Sequence, residues 1–235
     1  MRELFAFGET GWGDELLAGL AVTLQLGVAA LLLGLLIGFI VAWASLSRQT
    51  LLRSAGFAYS TIMRGLPELL TLFVVYNGVG LLLNKLSAFV SPDSPPVEFS
   101  PFAAGVIALG MVFGAFSSEV LRGAFNSLDP GQSEAGRAVG MNTRQVFLRI
   151  KLPQAWRFAL PGLGNLWINL LKDTALVSII ALDDLMRMTK VAVGATKQPF
   201  TFYLVAALIY WALCVMSEFG LDRLEKRANR GIVNR

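Results

Sequence analysis

The sequence predicts an all-α integral membrane protein with five transmembrane helices, and three observations predict it. Of its 235 residues, 55% are hydrophobic and only 15% charged, against about 45–50% and about 25% in soluble domains. The apolar residues gather in five segments close to the ~20 residues that a bilayer crossing requires. Between those segments, Lys and Arg collect on alternate sides.

Leu16 to Ser47 carries no charge, and its Gly34 and Gly38 stand at the four-residue spacing that lets helices approach closely. It exceeds the apolar core of a cleaved signal, about 7–15 residues, and Met1 to Glu15 before it is more acidic than basic, so 16–47 is expected to remain as a span. Arg48 and Arg53 flank a turn. The second span, 57–84, is interrupted near its start by Gly65 and Pro67, and the run Ser91 to Pro96 reads as an exposed loop. The third span is 102–125. After a charged stretch, Asp129 to Pro153, come the fourth span, 158–182, which admits Lys172 and Asp173, and the fifth, 200–221, which holds the single cysteine, Cys214. These segments leave no room for a separate catalytic domain, so 1–235 reads as one transmembrane domain.

Five spans put the termini on opposite sides. Thirteen Lys and Arg fall in one set of connections (Arg48 and Arg53, Arg122 to Arg157, Arg223 to Arg235) and five in the other (Arg2, Lys85, Arg187, Lys190, Lys197). The positive-inside rule then places the charged stretch and the C-terminus in the cytoplasm and the N-terminus outside. The basic tail Arg223 to Arg230 is a juxtamembrane anchor facing anionic lipid, so the formal charge of +4 does not point to nucleic acid. With no His and one Cys, the usual zinc and haem ligand sets are missing. No lysine stands in a Gly-x-x-x-x-Gly-Lys-Ser/Thr phosphate loop. Neither a catalytic residue, a metal site nor a cofactor is expected on this chain.

The stretch Asp129 to Pro153 can form helix, turn, helix. Ser133, set up by Pro130-Gly131, is a cap candidate for a helix through Val139, and Gly140 supplies the left-handed residue that stops it. Asn142-Thr143 offers a second cap, Val146, Ile150 and Pro153 form an apolar stripe, and Pro153 is expected to end or bend the second helix. Taken alone, this is also the pattern of an amphipathic helix pair lying on the bilayer. In order and spacing, however, Glu134-Ala135-Gly136, Gly140 and Ile150-Lys151-Leu152-Pro153 resemble the Glu-Ala-Ala, Gly, Ile-x-Leu-Pro loop of ABC importer permeases, with Gly136 for the second Ala.

That resemblance runs over nearly the whole chain. Arg64-Gly65-Leu66-Pro67 resembles a signature of polar amino acid permeases. Leu160 to Asn165, Lys172 to Ser178 and Pro199 to Tyr203 look like the histidine, lysine, arginine and opine branch. It implies a type I ABC importer (MetI-like) permease in the bacterial inner membrane. There Glu134, Ala135, Gly136, Gly140, Ile150, Leu152 and Pro153 would form the coupling helix region that docks on an ATPase. It also implies a dimer of ATP-binding subunits carrying ATP and magnesium, a second permease chain, related or identical, and an extracytoplasmic solute-binding protein. One departure is Leu166, where some basic amino acid permeases carry Glu.

Ionisable residues inside spans are costly and default to function, the alternative for Asp173 and Lys172 being a charge network that only holds helices together. Asn165, Asn169 and Asp173 stand at i, i+4 and i+8, drifting about 40° per step, and form one polar edge suited to a zwitterionic or cationic solute. Lys172, adjacent in sequence, is expected to reach another helix or carbonyl groups instead. Glu68 is a second candidate contact, although an i,i+4 pairing with Arg64 would neutralise both. Tyr76 and Asn77 are candidates in the outer half of the second span, and Glu119 with Arg122 reads as a pair at the inner end of the third. A rival reading is a small ion-coupled carrier or channel using Asp173 and Glu68 for ions. Against it stand the coupling motif and the absence of a readable inverted repeat.

Overall fold

A computed structural model describes residues 3–8, 11–90, 95 and 97–229. Most of the proline-rich loop at 91–96, and Arg2, Arg230 and Arg235, lie outside the described residues. After a short turn at Glu3–Phe5 come α1 (Gly13–Ser45), α2 (Thr50–Gly65), α3 (Glu68–Val90), α4 (Pro101–Asn126) and α5 (Pro130–Ala138). Then follow α6 (Thr143–Val146), a π-helical turn (Phe147–Lys151), α7 (Leu152–Asp173), a 3₁₀ stretch (Thr174–Ile180), α8 (Leu185–Thr196) and α9 (Pro199–Ala228). From Thr143 to Ile180 the chain forms one helical rod, bent 52° against α8. Among the described residues, four helices, α1, α3, α4 and α9, are long and apolar enough to cross a membrane, and five if the rod and α8 count as one bent span.

Helices α4, α8 and α9 begin where side chains or prolines settle otherwise orphaned N–H groups. Ser100 Oγ accepts the Ala103 N–H ahead of α4, and Asp184 accepts the Arg187 N–H ahead of α8. Pro101 and Pro199 occupy first-turn positions where no N–H is needed.

The segment 57–84 is not one interrupted span. Leu66 is extended, with φ −92° and ψ 141°, as the residue before proline prefers. The chain therefore stops one helix at Gly65 and starts another at Glu68. Helix α2 is a separate amphipathic element that buries Gly56 and Ser60, and α3 alone is long and apolar enough to span.

The centre of the fold is the α1–α4 seam. Lipid offers no hydrophobic drive for helices to associate, so close packing must supply it. A β-carbon added at Gly34 would lie 2.6 Å from Phe113 Cδ1, and one at Gly114 would lie 2.6 Å from Ile37 Cγ2. Each helix thus offers glycine to the other's bulky residue. Ser117 Oγ, fully buried, donates to Gly114 O at 3.2 Å. Leu26, Leu72, Leu109, Phe113, Leu170 and Val177 form the main core between α1, α3, α4, α7 and the 3₁₀ stretch.

Candidate functional site

Two regions gather the residues singled out in the sequence. At one end of the rod, α5 folds back on the π-turn. Asp129 caps α5, its carboxylate accepting the Gly131 N–H at 2.8 Å, with Pro130 in the first turn. Ser133 therefore lies inside the helix and is not its cap, because the Asp-Pro start four residues earlier satisfies the free N–H groups first. Gly140 has φ +84° and turns the chain. Asn142 and Gln145 form a reciprocal capping box, both bonds at 2.9 Å.

Gly136 is the buried residue of α5. A β-carbon there would lie 2.7 Å from Ile150 Cδ1 and 3.4 Å from Val146 Cγ2, so glycine is what lets Ile150 seat. Ile150 and Leu152 are half-buried behind it, while Glu134, Ala135, Val139 and Pro153 are exposed.

Pro153 does not end the second helix. It has no N–H to offer Arg149 O, and its ring crowds that carbonyl. The preceding turn widens, with the Leu152 N–H reaching Phe147 O, and helix continues into α7. Such one-turn π insertions concentrate at functional sites.

Further along, a cavity of about 340 Å³ opens between α3, α4 and α7. Glu68 comes from the first turn of α3, Asn169, Lys172 and Asp173 from the end of α7, and Val112, Phe113 and Phe116 from α4. The Glu68 and Asp173 carboxylates face one another. Two like charges in a partly buried cavity repel, and a cation between them relieves that repulsion.

Asn165, one turn before Asn169, is exposed and does not line this cavity. Lys172 does, because the cavity wraps around the end of α7 instead of following one face. Tyr76 and Asn77 border a separate, wider cavity of about 730 Å³ with Glu98 and Ser100. Asn77 spends an amide proton on Phe73 O of its own helix.

Glu68 is not paired with Arg64, since the extended Leu66 separates their helices. Arg64 instead lies 3.5 Å from Glu119, which also pairs with Arg122 and accepts the Ser60 hydroxyl at 3.1 Å. Arg122 stacks over Phe57 and Arg64 over Phe116. This clasp ties α2 to α4 beside the cavity wall and leaves Glu68 free to face Asp173. Trp167 packs against the main core and donates to Ser217 Oγ of α9 at 3.2 Å.

Residues 34–230 match the family model described as "Binding-protein-dependent transport system inner membrane component". The chain is 42% identical to the nopaline transport system permease protein of Agrobacterium fabrum, over 97% of both chains. It is 43% identical to the arginine ABC transporter permease protein of Escherichia coli, over 89% of this chain and 92% of that one. A solved amino acid ABC transporter with histidines superposes with a TM-score of 0.78 at 31% identity, covering 92% of this chain and 95% of that one. An exposed α5 tip joined by one helical rod to a cavity lined by charged residues is consistent with that match, and the chain belongs to the family of binding-protein-dependent inner membrane transport components, as a non-catalytic permease subunit of an ABC transporter.

Proposed function

We propose that this subunit imports basic and other polar amino acids, or opines, into the cytoplasm by alternating access. The charge balance of the cavity carries the solute class. With both acids ionised, Glu68 and Asp173 against Lys172 leave one negative charge in excess, the complement of an amino acid with one carboxylate, one ammonium and a cationic side chain. Lys172 takes the solute carboxylate, the two acids take the cationic groups, and Asn169 offers an uncharged donor and acceptor. The nopaline and arginine permeases among its relatives support this class. Tyr76 and Asn77 lie on the approach from outside.

Residues 1–235 work as one transmembrane domain, with the tip of α5 in the cytoplasm and the N-terminus outside, as the Lys and Arg distribution supports. Glu134, Ala135 and Val139 meet an ATPase subunit of a dimer that holds ATP and magnesium. A second permease chain completes the pathway, and an extracytoplasmic binding protein delivers solute. Reconstitution of this assembly into proteoliposomes should give arginine uptake that requires ATP inside an inward-oriented system. Uptake driven by a sodium or proton gradient without ATP would replace this reading with an ion-coupled carrier.

A further inference from the structure

One residue beyond Asp173, four elements meet around buried polar atoms. Thr174 is fully buried, and its hydroxyl donates to Leu171 O at 2.6 Å. Thr23 of α1, also fully buried, donates to Gly19 O at 3.0 Å and accepts the Leu185 N–H at 3.1 Å. Asp184, fully buried, spends one carboxylate oxygen on the Arg187 N–H at 2.9 Å. Its Oδ2 and the Tyr210 hydroxyl of α9 are buried and have no hydrogen-bond partner among the described residues. Tyr210 lies beside Thr23, Thr174 and Asp184.

The donor and acceptor inventory of this cluster does not close by itself. Both threonine protons are already given to helix carbonyls, so these hydroxyls have only lone pairs left. Asp184 Oδ2 adds more acceptor capacity, and one proton, that of Tyr210, stands against them all. Buried polar groups are almost always satisfied by protein or by ordered water. A single water brings two donors and can accept the Tyr210 proton. The cluster sits where such a hold is needed: α7 passes at Asp173 into seven residues of 3₁₀ helix, a geometry rarely sustained beyond 3–4 residues without help from its surroundings.

We propose that Tyr210 and Asp184, through an internal water and the Thr174 hydroxyl, lock the end of α7 and are positioning residues for Asp173. The lock draws α8 and α9 into setting the solute edge, although neither lines the cavity. This rests on Asp173 being a solute contact, and the experiment separates the two claims.

Equilibrium binding of L-arginine is measured on the detergent-purified permease–ATPase complex for the wild type and for Asp173→Asn, Tyr210→Phe, Thr174→Val and Thr174→Ser. Size-exclusion profiles and thermal melts serve as folding controls. Tyr210→Phe and Thr174→Val keep shape and lose one hydroxyl, and each is expected to weaken arginine binding about five-fold, the scale of one hydrogen bond. Thr174→Ser keeps the hydroxyl and is expected to stay within about two-fold of wild type. Wild-type affinity in Tyr210→Phe and Thr174→Val, with Asp173→Asn impaired, overturns the lock alone. Equal losses in Thr174→Ser and Thr174→Val overturn it too, because then the methyl group is what matters. Undiminished binding by Asp173→Asn removes the solute edge and the lock with it.

Discussion

The two regions along the rod, Ile150 near one end and Asp173 about 35 Å further on near the other, are built on different principles. At the Ile150 end the determinant is shape. Gly136 gives up its side chain so that Ile150 can seat, Gly140 turns the backbone, and the exposed tip is fixed by packing within some twenty consecutive residues. At the Asp173 end the determinant is charge assembled from separate elements, with Glu68 on α3 and an apolar wall on α4. A surface held together locally keeps its form while the spans around it move. A cavity assembled from three helices changes whenever one of them tilts, since moving α3 against α7 parts Glu68 from Asp173. The first suits a joint that transmits force, and the second suits a site whose affinity must change during a transport cycle.

If that contrast is right, damage at the two ends should separate cleanly. The largest effect is expected from Gly136→Leu, whose side chain has no room beside Ile150, an overpacking cost of about 1–3 kcal/mol concentrated in the tip. Co-purification with the ATPase and ATP-driven uptake should be abolished, while arginine binding to the permease persists. Glu134→Lys reverses a charge without crowding. It should reduce ATPase association about ten-fold in a pull-down, with an unchanged thermal melt. At the other end, Asp173→Asn should weaken arginine binding by about ten-fold, the scale of a hydrogen bond to a charged group, and leave the pull-down as in wild type. Loss of ATPase association in that variant would mean that the ends are not separable. The smallest effect belongs to Trp167→Phe, in the second half of α7. It loses the bond to Ser217 while keeping most of the ring, and should lower stability by about 1 kcal/mol with both end functions retained.

The same contrast explains what could be read in the sequence. The tip was legible because its parts are neighbours in the chain: Gly140 and Asn142 occupy the turn and cap that their residue types favour. Ser133 misled only because Asp129-Pro130, a stronger start, stands just before it. The Glu119–Arg122 pair was legible for a similar reason, lying on one unbroken helix. The i,i+4 rule failed for Arg64 and Glu68 because it assumes a continuous helix, and the extended Leu66 before Pro67 denies it one. That proline was the available signal.

Asn169 and Asp173 could be placed together from helical spacing. That Asn165 falls outside the cavity and Lys172 inside depends on where α3 and α4 approach, which spacing along α7 does not contain. The apolar lengths made α1, α3, α4 and α9 readable as membrane helices. Where the detached α2 docks depends on its clasp with α4, between residues some 55–60 positions apart.

The widened turn at Phe147–Lys151 has a consequence for how this chain can vary. Each α-helical residue advances the azimuth by about 100°, so the rod behaves like a keyed shaft whose two ends are set at a fixed angle. Deleting one residue between Pro153 and Leu160 would leave both end motifs intact as strings of letters. It would also turn one relative to the other by more than a quarter of a revolution, pointing Asp173 away from Glu68 whenever the tip is engaged. Substitutions can accumulate along this stretch, but its length is a phase setting, and lineages descended from this chain should change its letters far more freely than their number.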